Sequence, residues 1–123
     1  MSGEIVYLDP LEVEVDPYNV RADSPIDEEV IEKIIEDLKS GKGIEYHITV
    51  RIKDGKYYCY VGRNRLLAAK RYVKETGRRI KIPAKIKNVD DYTALKSSLD
   101  ENLKRRELKP TEVTKAIKKL YQL

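Results

Sequence analysis

Apolar and polar positions alternate most strictly in "ITVRIKDGKYYCYV", residues 48–61. A period of two is the mark of a strand with one face buried. Two such runs flank Asp54-Gly55, a pair that tolerates the positive φ angles of a tight turn, so the segment predicts a β-hairpin. After Gly62 the period lengthens, and "RNRLLAAKRY" predicts a helix from about 63 to 75, closed by Gly77. Nearer the start, Ile26, Val30, Ile34 and Leu38, flanked by Ile31 and Ile35, recur at helical spacing. Ser24 is the expected cap there, with Pro25 as first helical residue and "SGKG" as the stop. The opening residues predict a short strand at about 4–8, followed by turns at Pro10, Pro17 and Pro25. "IKIPAKI" is β-rich, Asp90 or Asp91 caps a helix running to about 105, and Pro110 starts another, with Val113, Ile117 and Leu120 on one face. This order predicts an α+β fold, a small mixed β-sheet with packed helices. Residues 1–90 are expected to form its core and 91–123 a C-terminal helical extension.

Composition narrows the class. With 37% charged and 41% apolar residues in 123, the chain has the size and balance of one globular domain. It has no apolar run of membrane-spanning length, and its start lacks a signal peptide's basic and apolar regions. A single cysteine, Cys59, excludes an internal disulfide, so a cytoplasmic protein is expected. The net charge of +4 hides an asymmetry: residues 1–50 carry −9 and residues 63–88 carry +9. A segment that basic is an electrostatic footprint for phosphates, unless the two halves neutralise each other within the fold.

Chemistry concentrates at two places. In "YVGRNRLLAAKRY", Gly62 allows a close backbone approach, and the helix that follows offers unpaired N–H groups to an anion. Arg63 and Arg65 would add charge-assisted bonds to phosphate. In "DENLKRREL", Glu101, Asn102 and Arg105 share a helix face. Glu101 and Arg105 are spaced as an ion pair, while a carboxylate and an amide oxygen are suitable ligands for magnesium completed by substrate phosphates.

Taken together these stretches resemble the ParB family of chromosome and plasmid partition proteins, within the wider ParB/sulfiredoxin fold. The resemblance runs through "VYLDPLEVEVDPYNVR", "IDEEVIEKIIEDLKSGKGI", "YYCYVGRNRLLAAKRY", "IPAKIKNVDD" and "ENLKRRELKPTEVTKAIKKL", nearly the whole chain. It implies a pocket for CTP with magnesium. By that resemblance Gly62 and Arg65 hold the triphosphate and Arg105 contacts phosphate; Arg21 matches the arginine of the family's first box, Asn102 positions the metal, and Glu101 supports at most weak CTP hydrolysis. The family usually has Gly-Glu-Arg-Arg where this chain has Gly62-Arg63-Asn64-Arg65, and Gln-Pro where it has Tyr46-His47. The implied function is DNA segregation at the nucleoid, by self-association on DNA with CTP as a switch. A ParA-type ATPase or a DNA-bound adaptor is the implied partner, and residues 91–123 would lead to a DNA-binding region that is missing from this chain or supplied by a partner. Lys70, Arg71, Arg78 and Arg79 are the expected DNA or partner contacts.

Other readings compete. A nucleotide-free adaptor linking a DNA-bound partner to the segregation machinery is the main alternative, and a nuclease or phosphotransferase on this fold is a weaker one. A sulfiredoxin-like reductase needs a cysteine at the glycine-to-helix junction, where this chain has Arg63, Asn64 and Arg65. "SGKG" lacks the full phosphate-loop pattern.

Overall fold

The computed structural model describes residues 4–123; the first three residues of the expected 1–90 unit lie outside that range. In chain order the elements are β1 (Val6–Leu8), a 3₁₀ turn (Pro10–Glu12), β2 (Val13–Val15), α1 (Glu28–Lys39), β3 (Ile48–Lys53), β4 (Lys56–Val61), α2 (Arg63–Thr76), β5 (Ile82–Ile86), α3 (Asp91–Lys104) and α4 (Pro110–Tyr121). The five strands form one mixed sheet in the order β1-β5-β3-β4-β2. β1 is antiparallel to β5 and β4 to β3, while β5 runs parallel to β3 and β2 parallel to β4.

The hairpin forms as the alternation predicts, with Asp54 at φ 52° and Gly55 at φ 76° making the turn. Its two faces diverge in chemistry. Ile48, Val50 and Cys59 join Val13, Ile82 and Ala84 under Leu66 and Ala69 of α2, and this is the main core. Arg51 points the other way and reaches Asp91 at the start of α3. A second apolar cluster joins Ile31, Ile35 and Leu38 of α1 to Ala68, Tyr72 and Val73 of α2. The sheet is therefore covered by α2 and then α1 on one side, with α3 contacting β4 and α4 contacting α3.

Two expectations about the first thirty residues are corrected. β2 falls between the turns expected at Pro10 and Pro17, where no strand is predicted, since Val13–Val15 is too short to show a period and gains its place by pairing with β4 more than forty residues away. The first helix begins at Glu28, capped by Asp27, whose side chain accepts from the Val30 amide. Ser24 does not cap it: its hydroxyl bonds to Glu112 Oε2 on α4. Ile26 consequently lies outside the helix, 45% exposed, and the buried stripe centres on Ile31, Ile35 and Leu38.

One buried ionic network ties the layers together. Arg51 Nε donates to Asp16 Oδ2 at 2.6 Å and Nη2 to Oδ1 at 3.1 Å, with Asp16 fully buried and Arg51 4% exposed. The same guanidinium reaches Asp91 at 2.9 Å and the Val89 carbonyl at 3.2 Å. It thus fixes the loop after β2 and the start of α3 to the middle of the sheet.

Candidate functional site

β4 delivers the chain to α2 through a bulge. Thr49 faces Val61 and Val50 faces Cys59, which leaves Tyr60 as the extra residue, and bulges of this kind re-aim a strand end. Gly62 follows at φ 102°, a left-handed conformation, and α2 starts there with no side-chain cap. The amides of its first turn are thus not occupied by a capping side chain. A Cβ at Gly62 would lie 2.7 Å from Ile48 Cγ2 and 2.8 Å from Arg65 Nη2. The Arg65 guanidinium therefore folds back over the glycine, onto the positive end of its own helix. Gly62→Ala is expected to lower stability by about 1–3 kcal/mol, from the left-handed backbone and the clash with Ile48, and to displace Arg65. Urea denaturation measures the first effect; a stability unchanged from the parent would show that the junction has room to spare.

Arg65 is half-buried yet makes no ion pair or hydrogen bond among the described residues, and its Nε is buried without a partner. Burial above all, then the neighbouring Arg105, holds its pKa below the ordinary arginine value. Since arginine stays charged in proteins, the site contains a desolvated cation that no acid contacts directly, with Glu107 and Glu101 near enough to offset part of its charge. A cation in that position beside free helix amides favours an anionic ligand.

Around Arg65 the fold assembles a cleft of about 260 Å³. It is lined by Arg21, Gly62, Arg65, Glu101, Asn102 and Arg105, so these expected site residues converge. Asn102, 9% exposed, donates through Nδ2 to the Ser98 carbonyl at 2.7 Å. Glu101 accepts from Arg105 Nε at 3.0 Å, and the Arg105 guanidinium lies 5.7 Å from the centre of the Tyr46 ring. Arg21 donates to the Glu107 carbonyl at 3.0 Å and keeps a buried Nε without a partner. Asn64 Oδ1 in the same cleft is also buried and unpaired.

Arg63 needs a correction. It borders the cleft, but its guanidinium donates to the carbonyls of Arg21, Ser24 and Pro25, the latter two at 2.8 and 3.2 Å. Those bonds assign Arg63, 6% exposed, to holding the 21–25 loop rather than facing phosphate. Lys70, Arg71, Arg78 and Arg79 do not line the cleft. Lys70 lies 3.5 Å from Glu14, and Arg71 lies 2.6 Å from Glu28 and 3.3 Å from Glu32, so the acidic half neutralises part of the basic one. Arg78 and Arg79 are exposed beyond the end of α2.

Two site-shaping residues escaped the sequence reading. Asn19 donates to the Cys59 carbonyl at 3.4 Å and accepts from the Arg21 amide at 2.9 Å, which orients Arg21. Ser98 accepts from the Val20 amide at 2.9 Å and pins the same loop to α3. The run of Asp and Asn in "DPYN" carries a turn signal, but nothing in it points forty residues ahead to Cys59. Cys59 itself is fully buried, and burial pushes its thiol up to about 12, so it has no thiolate character for nucleophilic work. Among the described residues no group of three or more His, Cys, Asp or Glu is placed to hold a metal, and no helix is long and apolar enough to cross a membrane.

Comparison with known proteins adds independent findings. The family model for the ParB N-terminal domain matches residues 1–103. A probable chromosome-partitioning protein ParB of Neisseria meningitidis is 31% identical over 108 residues, covering 87% of this chain and 36% of its own length. The chain thus spans about a third of that relative. C-terminally truncated ParB of Caulobacter crescentus complexed with CTP-γ-S superposes with a TM-score of 0.70 at 24% identity, over 86% of this chain and 56% of that one. The same truncated protein complexed to the centromeric parS site gives 0.63 at 23% identity, over 92% and 55%. Sulfiredoxin of Arabidopsis thaliana gives 0.55 at 25% identity, over 79% and 98%. The α+β architecture is that of the ParB/sulfiredoxin fold.

Proposed function

The chain belongs to the ParB N-terminal domain family, and from that premise we propose that it is the nucleotide-responsive part of a DNA-segregation protein. Its cleft binds the triphosphate of CTP, and its residues serve self-association on DNA. The observation that carries this reading is the half-buried Arg65 guanidinium, without an ion pair or hydrogen bond among the described residues, at the N-terminus of α2 inside a cleft that also gathers Arg21, Asn102 and Arg105. CTP is the nucleotide we assign because the Caulobacter ParB structure holds a CTP analogue.

In this proposal Arg65 and the first-turn amides of α2 grip phosphate oxygens, while Arg21 and Arg105 close on them from the other side. The donor set fits a magnesium ion that arrives with the phosphates. Asn102 would supply one oxygen and Glu101 a second, and the remaining ligands would be phosphate and water. Glu101, held by Arg105, is the residue we assign to any weak CTP hydrolysis. Residues 91–123 would serve as the helical extension toward a DNA-binding region. DNA, further copies of the chain, and a ParA-type ATPase or an adaptor are the proposed partners, and the nucleoid the proposed location. Arg78 and Arg79 are the basic residues left exposed for nucleic acid.

One observation favours a second reading. Arg63 is occupied by three carbonyls and Asn64 is neutral, so α2 presents Arg65 as its one phosphate-facing arginine. A nucleotide-free adaptor would need no more. Equilibrium binding of CTP, ATP, GTP and UTP, with and without magnesium, separates the two. Magnesium-dependent binding selective for CTP is the expected result. No binding of any nucleotide by the folded protein would overturn the nucleotide reading and leave the adaptor.

A further inference from the structure

A second cavity, about 500 Å³, adjoins the cleft on the far side of Arg65, between the β3–β4 sheet and α3. Arg65 and Arg105 line both spaces, but the second adds His47 and Lys87, with the hydroxyls of Thr93 and Ser97 on its α3 wall. None of these four was a candidate from the sequence. We propose that this cavity is a second anion site, taking a phosphate group between Lys87, His47, Arg65 and Arg105. The inference does not depend on CTP occupying the neighbouring cleft.

Charge and geometry both support it. Several elements bring a charged group near His47: Lys85 from β5 and Lys87 just after it, Arg65 from α2, and Glu101 from α3, while β4 contributes the uncharged Tyr60 and Val61 to the cavity wall. Glu101 is the single acid among them and is already bonded to Arg105. Burial first, and then Lys85, Arg65 and Lys87, hold the imidazole pKa below its ordinary value. Lys87, unlike Lys70 and Arg71, has no carboxylate within ion-pair distance among the described residues. Such an assembly of like charges in a concave, hydroxyl-lined space is relieved by one bound anion. A dianionic phosphate would accept bonds from the cations and the hydroxyls together.

His47 is the chain's single histidine, so its imidazole resonances report on this cavity without assignment ambiguity. The experiment titrates the whole chain with inorganic pyrophosphate and, separately, with a short DNA duplex, following the His47 ring signals by NMR across pH. A bound anion favours the imidazolium, so the His47 pKa is expected to rise on saturation with pyrophosphate. Lys87→Ala is expected to weaken that binding about tenfold, by the loss of one charge-assisted bond, and Lys87→Arg to restore most of it. Asn102→Ala, in the neighbouring cleft, is expected to leave the response in place. A His47 response to the duplex but not to pyrophosphate would also support the site and name the nucleic-acid backbone as its source of phosphate. No His47 response to either, or one abolished by Asn102→Ala and untouched by Lys87→Ala, would overturn the proposal. Failure of CTP binding leaves these outcomes unaffected.

Discussion

Arg65→Met is expected to weaken CTP binding about 100-fold or more and, in the same protein, to raise stability. The first effect follows from the loss of two charge-assisted bonds to phosphate, each about 1.5–3 kcal/mol. The second follows from the unliganded state. Arg65 is half-buried, pairs with no acid and sits beside Arg105. Methionine keeps much of the apolar stem and removes the desolvated charge, which should stabilise the fold by about 0.5–2 kcal/mol. Isothermal titration with CTP and urea denaturation of the same samples read the two quantities. Lost binding with lost stability would instead make Arg65 a structural residue. Unchanged binding would move the triphosphate elsewhere.

Arg51→Ala is expected to be the most destabilising single change, at about 3–5 kcal/mol. It strands Asp16, fully buried, whose Oδ1 would keep a bond from the Tyr18 amide at 2.9 Å but lose both arginine contacts. It also releases the Val89 carbonyl and Asp91 at the start of α3. The double variant Asp16→Ala/Arg51→Ala should lose less than the sum of the single variants, because removing both partners leaves no buried charge uncompensated. Chemical denaturation of all four proteins in the cycle measures this. Additive losses would mean that the pair is held apart in solution.

Much of this molecule could be read from local pattern, and the remainder shares one physical cause. The hairpin, α2 with Gly62 and Gly77 at its ends, and the starts of α3 and α4 each announce themselves within a few residues. The Gly62–Arg65 turn and the face shared by Asn102 and Arg105 are each legible from residue type and spacing, whereas their meeting in one cleft is implied by the family resemblance alone. β2 does not announce itself, because three residues acquire their strand character from a parallel neighbour distant in sequence. Arg63 looked like a phosphate ligand because sequence shows charge but not direction. Two positions away on α2, its side chain leaves the helix on a different bearing from Arg65 and meets carbonyls instead. Asp16 and Arg51 likewise appear as separate surface charges until the fold buries them together. His47 and Lys87 lie far apart in sequence and meet at one cavity only through the parallel pairing of β3 and β5.

The strand order has a consequence for how the sheet meets other chains. β1 and β2 lie at opposite edges, yet between Leu8 and Val13 there is just Asp9 and the 3₁₀ turn. Laid flat, edges four strand spacings apart would be separated by about 19 Å. Two extended steps and one 3₁₀ turn reach only about 13 Å. The sheet must therefore curl, drawing its margins together like a barrel left ajar. An edge that is three residues long and turned toward its opposite number offers little template for a foreign strand. The short connection that closes the curl thus also guards this protein against edge-to-edge aggregation.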